Sequence, residues 1–227
     1  CVPRRFAQPC WKGERLAGRA LLLYGEQGFG DTIQFSRYAK LAAERGGRVI
    51  IECQPSLKGI LRTVAGASHV IGYGEQLPPF DLQAPLLSLP GVFQTTLETI
   101  PSAVPYLSVP SDIFVKLPAS SGAPLKVGLA WCGSRSQNHD PRPVPFRCLQ
   151  PILDLKGVEF HSFQTGDMAE ELHHASARAP IFDLSPQLKD FSVTASFVEQ
   201  LDLVISIDTA LAHLAGAGGL HRPLGAV

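Results

Sequence analysis

The feature that most restricts the fold is a compact apolar run that ends in glycines and reopens as a helix. Ala20-Leu21-Leu22-Leu23-Tyr24 leads into Gly25-Glu26-Gln27-Gly28-Phe29-Gly30, and Asp31-Thr32-Ile33-Gln34 then begins a helical pattern. An apolar run without polar alternation suits a strand buried on both faces, as in a parallel sheet. Ile33, Phe35, Tyr38, Leu41 and Ala42 recur at roughly helical spacing until Gly46-Gly47 stops the helix. Arg48 to Cys53 reads as a second strand, and Pro55 opens a helix with Leu57, Ile60, Leu61 and Val64 on one face. Val70-Ile71 and Leu86-Leu87 are expected as further strands. This order is the βαβ signature of a parallel sheet flanked by helices.

The series recurs after a Pro-rich passage, Pro78 to Pro110, where turns, short strands and one brief helix are expected. Pro118 to Pro124 is the linker candidate, because small and flexible residues cluster there with proline. Lys126 to Trp131 is a strand, and Pro141, Pro143 and Pro145 forbid helix in the loop that follows. Phe146 to Leu153 is expected as a helix, Val158 to Gln164 as a strand, Met168 to His174 as a helix and Ile181 to Leu184 as a strand. Asp190 to Leu201 forms an amphipathic helix with Phe191, Ala195, Val198 and Leu201 inward. Leu201 to Ile207 is a buried strand, and Thr209 opens the last helix. The expected fold is α/β, with two Rossmann-like parallel-sheet domains at 1–117 and 125–227 joined by a linker at 118–124. The crevice of such a pair is the default ligand site.

Composition narrows the function classes. The 227 residues are 45% hydrophobic and 18% charged, with 20 basic and 20 acidic side chains. A balanced charge with no Lys/Arg cluster argues against a nucleic-acid partner. No apolar run approaches the roughly 18 residues of a membrane span, and Cys1 to Lys12 lacks the apolar core of a signal peptide. The five cysteines form no CxxC pair and leave one over, which fits reduced thiols and a cytoplasmic setting. His173-His174 is read as a solvated helix end, and no Cys/His spacing suits a metal.

Three stretches carry candidate chemistry. In Ser206-Ile207-Asp208-Thr209-Ala210-Leu211-Ala212-His213 the helix start offers free amides and a dipole to an anion. Asp208 and Thr209 stand at its mouth, with His213 one turn above Thr209 on the same face. Asp or Thr there also suits a plain cap, and the histidine a packed core. In the glycine loop, Gly28 and Gly30 are free to take positive φ and bring amides to a ligand. No Gly-Lys-Ser/Thr follows, and the glycine spacing is not that of the dinucleotide fingerprint. A dinucleotide-dependent oxidoreductase is disfavoured accordingly, although Glu52 stands where a ribose-binding acid would. Asp31-x-x-Gln34 fits a capping box, and the same carboxylate facing a crevice would serve as a general base. In Trp131-Cys132-Gly133-Ser134, an exposed Trp or Gly would touch a base or phosphate, the alternative being a buried Trp and a turn Gly. Arg142 is that loop's best phosphate partner.

The segments WKGERLAGRALLLYGEQGFGDTIQFSRY, PSLKGIL, FDLQAPLLSLPGVF, KVGLAWCGS, FHSFQTGD and DFSVTASFVEQLDLVISIDTALAHLAGA follow one another in this order. They resemble the C-terminal domain of bacterial tetratricopeptide-repeat glycosyltransferase-like proteins. That domain is similar to the heptosyltransferases and, more distantly, to O-linked N-acetylglucosamine transferases. The resemblance implies a GT-B architecture and a nucleotide-diphosphate sugar donor bound mainly by the second half. Transfer would go to a hydroxyl acceptor, protein or glycan, with no metal and no cofactor. It implies Asp31 as candidate base, and Asp208, Thr209 and His213 as holders of the donor nucleotide and diphosphate. The full expected substrate-binding set is Gln27, Gly28, Gly30, Trp131, Gly133, Arg142, Gln164, Asp208, Thr209 and His213. The competing reading is a truncated or degenerate domain without catalysis. Pro143 stands where such proteins commonly carry Ser. No period of roughly 34 residues marks a repeat array. The family's last strand and closing helices are expected to be missing after Ala217, leaving an inactive or poorly stable chain through truncation or frameshift.

Overall fold

The computed structural model describes residues 6–119, 125–133, 143–174 and 181–219. The chain divides into two compact units, Cys1–Pro110 with Asp190–Ser192, and Ser111–Lys189 with Val193–Val227.

The first unit is built on β1 (Ala20–Tyr24), α1 (Phe29–Ser36), α2 (Ala39–Ala43), β2 (Arg48–Cys53), α3 (Lys58–Leu61), β3 (Ala67–Gly72), β4 (Leu82–Pro85) and α4 (Leu89–Val92). Its four strands are parallel in the order β3-β2-β1-β4. All five residues of β1 are buried, as an apolar run without alternation requires. One face of the sheet is closed by Ala20, Leu22, Ile50 and Ile71 packed with Phe6, Leu77 and Phe80.

Two expectations shift here. The fourth strand lies at Leu82–Pro85, and Leu86–Ser88 is a 3-10 turn instead. Asp81 explains the placement, because its N–H bonds Ala20 O (2.9 Å) while its Oδ2 accepts the Ala20 N–H (2.7 Å). Those two bonds fix the register from Leu21↔Leu82 to Tyr24↔Pro85, where proline removes the next ladder donor. The single helix expected from Asp31 up to the Gly46-Gly47 stop is two, since Tyr38 N–H closes onto Phe35 O at 3.2 Å and tightens the chain between them.

The second unit carries β5 (Leu125–Ala130), α5 (Gln150–Leu153), β6 (Val158–Ser162), β7 (Ile181–Asp183), most of α6 (Phe191–Val198), β8 (Leu203–Ser206) and α7 (Ala210–Ala217). Its order, β7-β6-β5-β8, repeats that of the first sheet, and all pairs are parallel. Val127, Leu129, Trp131, Phe146, Leu153 and Phe160 fill one face. Ala130, Phe163, Phe197, Val198, Leu201 and Leu211 fill the other. Gly166–His174 is 3-10 rather than α-helical. Among the described residues β8 is the outermost strand, with Leu203 and Ile205 each 37% exposed.

Helix α6 is not amphipathic as the pattern suggested: Thr194 through Val198 are all buried. The segment Ser111–Leu117 covers its second side. Val115 N–H donates to Ser196 Oγ (2.9 Å), Leu117 N–H to Gln200 Oε1 (2.9 Å), and Gln200 Nε2 donates back to Val115 O (2.8 Å). One glutamine amide thus satisfies a backbone donor and a backbone acceptor of this part-buried segment.

The second core also holds a buried polar pair. Glu159 and His161 on β6 are fully buried, with Nε2 3.3 Å from Oε1, and Phe182 stacks on the imidazole. Burial lowers the His161 pKa below its ordinary 6.5, and the neighbouring Glu159 opposes that shift only in part. The unfolded chain therefore binds more protons than the folded one as pH falls through about 6.5, and stability present above that pH is lost below it. His161→Gln keeps a donor for Glu159 and cannot titrate, so its melting temperature should fall less between pH 7 and 5 than the parent's. Parallel acid slopes would remove the histidine from the acid limb. Among the described residues no helix is long and apolar enough to cross a membrane.

Candidate functional site

Both sheets share one topological consequence. The first strand of each unit lies between the second and the fourth, so the chain order reverses between β1 and β4 and between β5 and β8. Loops leaving the carboxyl ends of two such strands diverge to opposite faces and open a crevice, the usual ligand position in open parallel sheets. The described candidate residues other than Gln164 fall at these two places.

In the first unit Gly25 continues β1, its N–H bonded to Glu52 O at 3.0 Å. A Cβ here would stand 2.6 Å from Tyr73 Oη and 2.9 Å from Thr32 Oγ1, so Gly25 is the glycine that the close approach requires. Gly28 and Gly30 do not use positive φ. Gly28 is the N-cap of α1 at φ −68°, and Gly30 lies inside the helix, because the helix starts two residues earlier than the sequence suggested. Asp31 is accordingly the third helical residue, and its Oδ2 accepts the Gly28 N–H at 3.0 Å. This is the returning half of a capping box, with the acid at N3 rather than at the cap. Asp31 is half-buried. Gln27 is exposed.

Three residues in and around this loop carry no site signal in the sequence. Glu26 accepts a hydrogen bond from the Leu87 backbone, and its burial raises its carboxyl above the ordinary value. Thr32, fully buried, directs Oγ1 to Gly28 O (3.2 Å) and to Gln54 Oε1 (3.1 Å). Gln54, the first residue after β2, donates from Nε2 to Gln27 O at 2.9 Å. Glu52 is 1% exposed in the body of the sheet, beside Tyr24 in the register.

In the second unit the loop after β5 and the start of α7 adjoin, since Ala130 pairs with Ser206 and Ile207 N–H bonds Ala130 O at 3.1 Å. Thr209 caps α7 with extended backbone (φ −136°, ψ 170°) but makes no side-chain cap bond. Its hydroxyl lies 2.8 Å from Ser206 Oγ, which itself donates to Ile207 O at 2.7 Å. The Thr209 side chain caps none of the first-turn amides of this eight-residue helix, which stand at its positive dipole end. Asp208, largely exposed, lies 3.3 Å from His213 Nε2 across that turn. An acid, an imidazole and a row of amides therefore share one helix mouth, as the sequence pattern suggested.

The remaining residues divide differently. Trp131 is 1% exposed: its ring packs on Phe146 (4.7 Å between centroids) and its indole N–H donates to Glu171 Oε2 at 2.8 Å. Gln164 is buried too, and its Oε1 accepts both the Trp131 N–H (3.1 Å) and the Cys132 N–H (2.9 Å). Gly133 is half-buried at the end of that tether, and Arg142 lies outside the described residues. Among the described residues no group of three or more His, Cys, Asp or Glu could hold a metal ion.

No protein-family model matches the chain. It is 28% identical over 235 aligned positions to protein FlbA of Caulobacter vibrioides, covering 92% of this chain and 39% of that one. The chain thus spans about two fifths of the length of the curated relative it matches. Among solved structures it is similar to ADP-heptose LPS heptosyltransferase II of E. coli, at a TM-score of 0.60 and 12% identity over 90% of this chain and 83% of that one. The family 9 glycosyl transferase of Veillonella parvula gives a TM-score of 0.58 and 9% identity over 92% and 80%. The E. coli heptosyltransferase WaaC with ADP gives 0.55 and 16% over 90% and 85%. The fold is therefore of the GT-B glycosyltransferase type, two parallel α/β units of like topology.

Proposed function

We propose that this chain binds a nucleotide-diphosphate sugar at the helix mouth of its second unit and transfers the sugar to a hydroxyl acceptor. The observation that carries the reading is the start of α7, where Thr209 directs its hydroxyl to Ser206 and does not cap the first-turn amides, beside Asp208 and His213. Amides fixed before the reaction stabilise charge that develops on a leaving diphosphate without reorganising. His213 adds a donor to the same anion, so no metal is needed in this scheme. Asp31 takes the proton of the acceptor hydroxyl, whose oxygen attacks the anomeric carbon as the bond to the diphosphate breaks. The heptosyltransferase structures support the choice of ligand, since WaaC is seen with ADP and with ADP-2-deoxy-2-fluoro heptose. The same motifs support a place for this domain within a longer repeat-bearing glycosyltransferase-like protein.

Calorimetric titration with ADP, UDP and GDP tests the donor site, with ADP expected to bind best. His213→Ala should weaken that binding by about 1–3 kcal/mol, the scale of a lost charge-assisted hydrogen bond. Unchanged affinity in a folded variant would return His213 to a packing role. Donor binding without hydrolysis or transfer would favour the non-catalytic reading of the domain.

A further inference from the structure

We infer that Gln54 and Gln164 are paired positioning residues, each holding the substrate-facing loop of its own unit through the backbone. The inference rests on the reading proposed above for the two loops, and it assigns neither amide to substrate contact.

The two glutamines occupy equivalent places in two sheets of the same topology. Gln54 follows the last residue of β2, and Gln164 comes two residues after β6. Each sits at the end of the second strand and reaches sideways to the loop that leaves the first. Gln54 ties the middle of the glycine loop to the helix that follows it, with Nε2 on Gln27 O and Oε1 taking the Thr32 hydroxyl. Thr32 follows Asp31 and also bonds Gly28 O, so the amide fixes the peptide before the helix and the residue after the acid. Gln164 uses its oxygen twice, on the N–H groups of Trp131 and Cys132, and its Nε2 on Thr165 O at 3.2 Å. Those bonds fix where the chain leaves β5, next to the mouth of α7.

Loop backbones without ladder partners open readily unless something satisfies them. A reactive group displaced by as little as an ångström loses rate steeply. The recurrence of one side-chain type at one topological position is what separates these contacts from incidental loop bonding.

The chemistry of the two sites differs in a way that a substitution can read. Gln54 is half-buried, so a glutamate there is ionised and sets an oxygen against Gln27 O where a donor stood. Gln164 is buried at 3% exposure and acts chiefly as an acceptor, so a glutamate there keeps the oxygen that Trp131 and Cys132 need. Protonated, it also restores the donor to Thr165 O.

Hydrogen–deuterium exchange on the full chain, with Gln→Met and Gln→Glu at each site, decides the matter. Gln54→Met and Gln54→Glu should both speed exchange in the Gly25–Gly30 loop by roughly tenfold or more, while the Trp131–Gly133 loop keeps the parent rate. Gln164→Met should do the reverse, and Gln164→Glu should remain close to the parent. In turnover assays, the Gln54 variants should lower kcat by about tenfold or more at unchanged ADP affinity. Gln164→Met should weaken ADP binding about fivefold or more, and Gln164→Glu should restore it. Exchange that rises across the whole unit, or equal effects of Met and Glu at position 164, would overturn the inference. So would loosened loops in an active protein whose kcat and ADP affinity stay within twofold of the parent. A parent that neither binds ADP nor transfers sugar would overturn the functional reading of the loops, and the exchange pattern would still decide whether the two amides hold them.

Discussion

Asp31→Asn is expected to lower turnover by about 10²- to 10⁴-fold, the usual contribution of a positioned base, with donor affinity within about twofold of the parent. The substitution separates two uses of one carboxylate. As a cap, Asp31 offers Oδ2 to the Gly28 N–H at 3.0 Å, and the asparagine carbonyl oxygen offers the same acceptor in the same place. The start of α1 should therefore survive, and the melting temperature should change little. As a base, Asp31 must accept a proton from the acceptor hydroxyl, which an amide does not do at neutral pH. Asp31→Ala is the companion variant, since it loses the cap as well and should add a stability cost of about 1 kcal/mol. A rate for Asp31→Asn within about threefold of the parent would leave the residue with the cap alone.

Trp131→Ala should cost the second unit about 3–5 kcal/mol, the range for removing a large buried aromatic side chain. The ring is closed in by Phe146 and the rest of one core layer, and its N–H is committed to Glu171. Truncation leaves a cavity and an acceptor without its donor. In urea, with a slope of about 2 kcal/mol per M, the midpoint should fall by about 2 M. Trp131→Phe should lose markedly less, because most of the packing survives. The experiment also tests the alternative drawn from the sequence, that this tryptophan meets a base or phosphate. A folded Trp131→Ala protein of near-parent stability that no longer binds nucleotide would place the ring against the ligand.

Parts of this site were legible because they are written locally. The helix mouth at Asp208, Thr209 and His213 depends on one strand, one turn and one helical period, and it stands where that pattern put it. The capping pattern ties Asp31 to the helix start, but the acid stands at N3 rather than at the cap, because the pattern does not show that α1 begins at Phe29. Neither Gln54 nor the buried state of Trp131 and Gln164 follows from neighbouring residues. The one available signal is a glutamine at or just beyond the end of the second strand in each half, and it gains meaning only once both sheets are seen to share a topology.

The sequence by itself determined the alternation of strands and helices and the parallel character of both sheets. It also set the chemistry presented at two strand ends. Apolar runs, glycine stops and cap residues act within a turn or two of the chain, where only a few backbone conformations are sterically open. The tertiary structure decided which backbone groups are satisfied by which side chains at long range. Gln200 joins Val115 across 85 positions, Trp131 joins Glu171 across 40, and Gln54 joins Gln27 across 27. Such partners are chosen by burial, since a backbone donor or acceptor removed from water must find a mate in whatever element the packing brings against it. That is why Ser111–Leu117 belongs to the second unit, and why the tryptophan after β5 fills a core rather than a crevice.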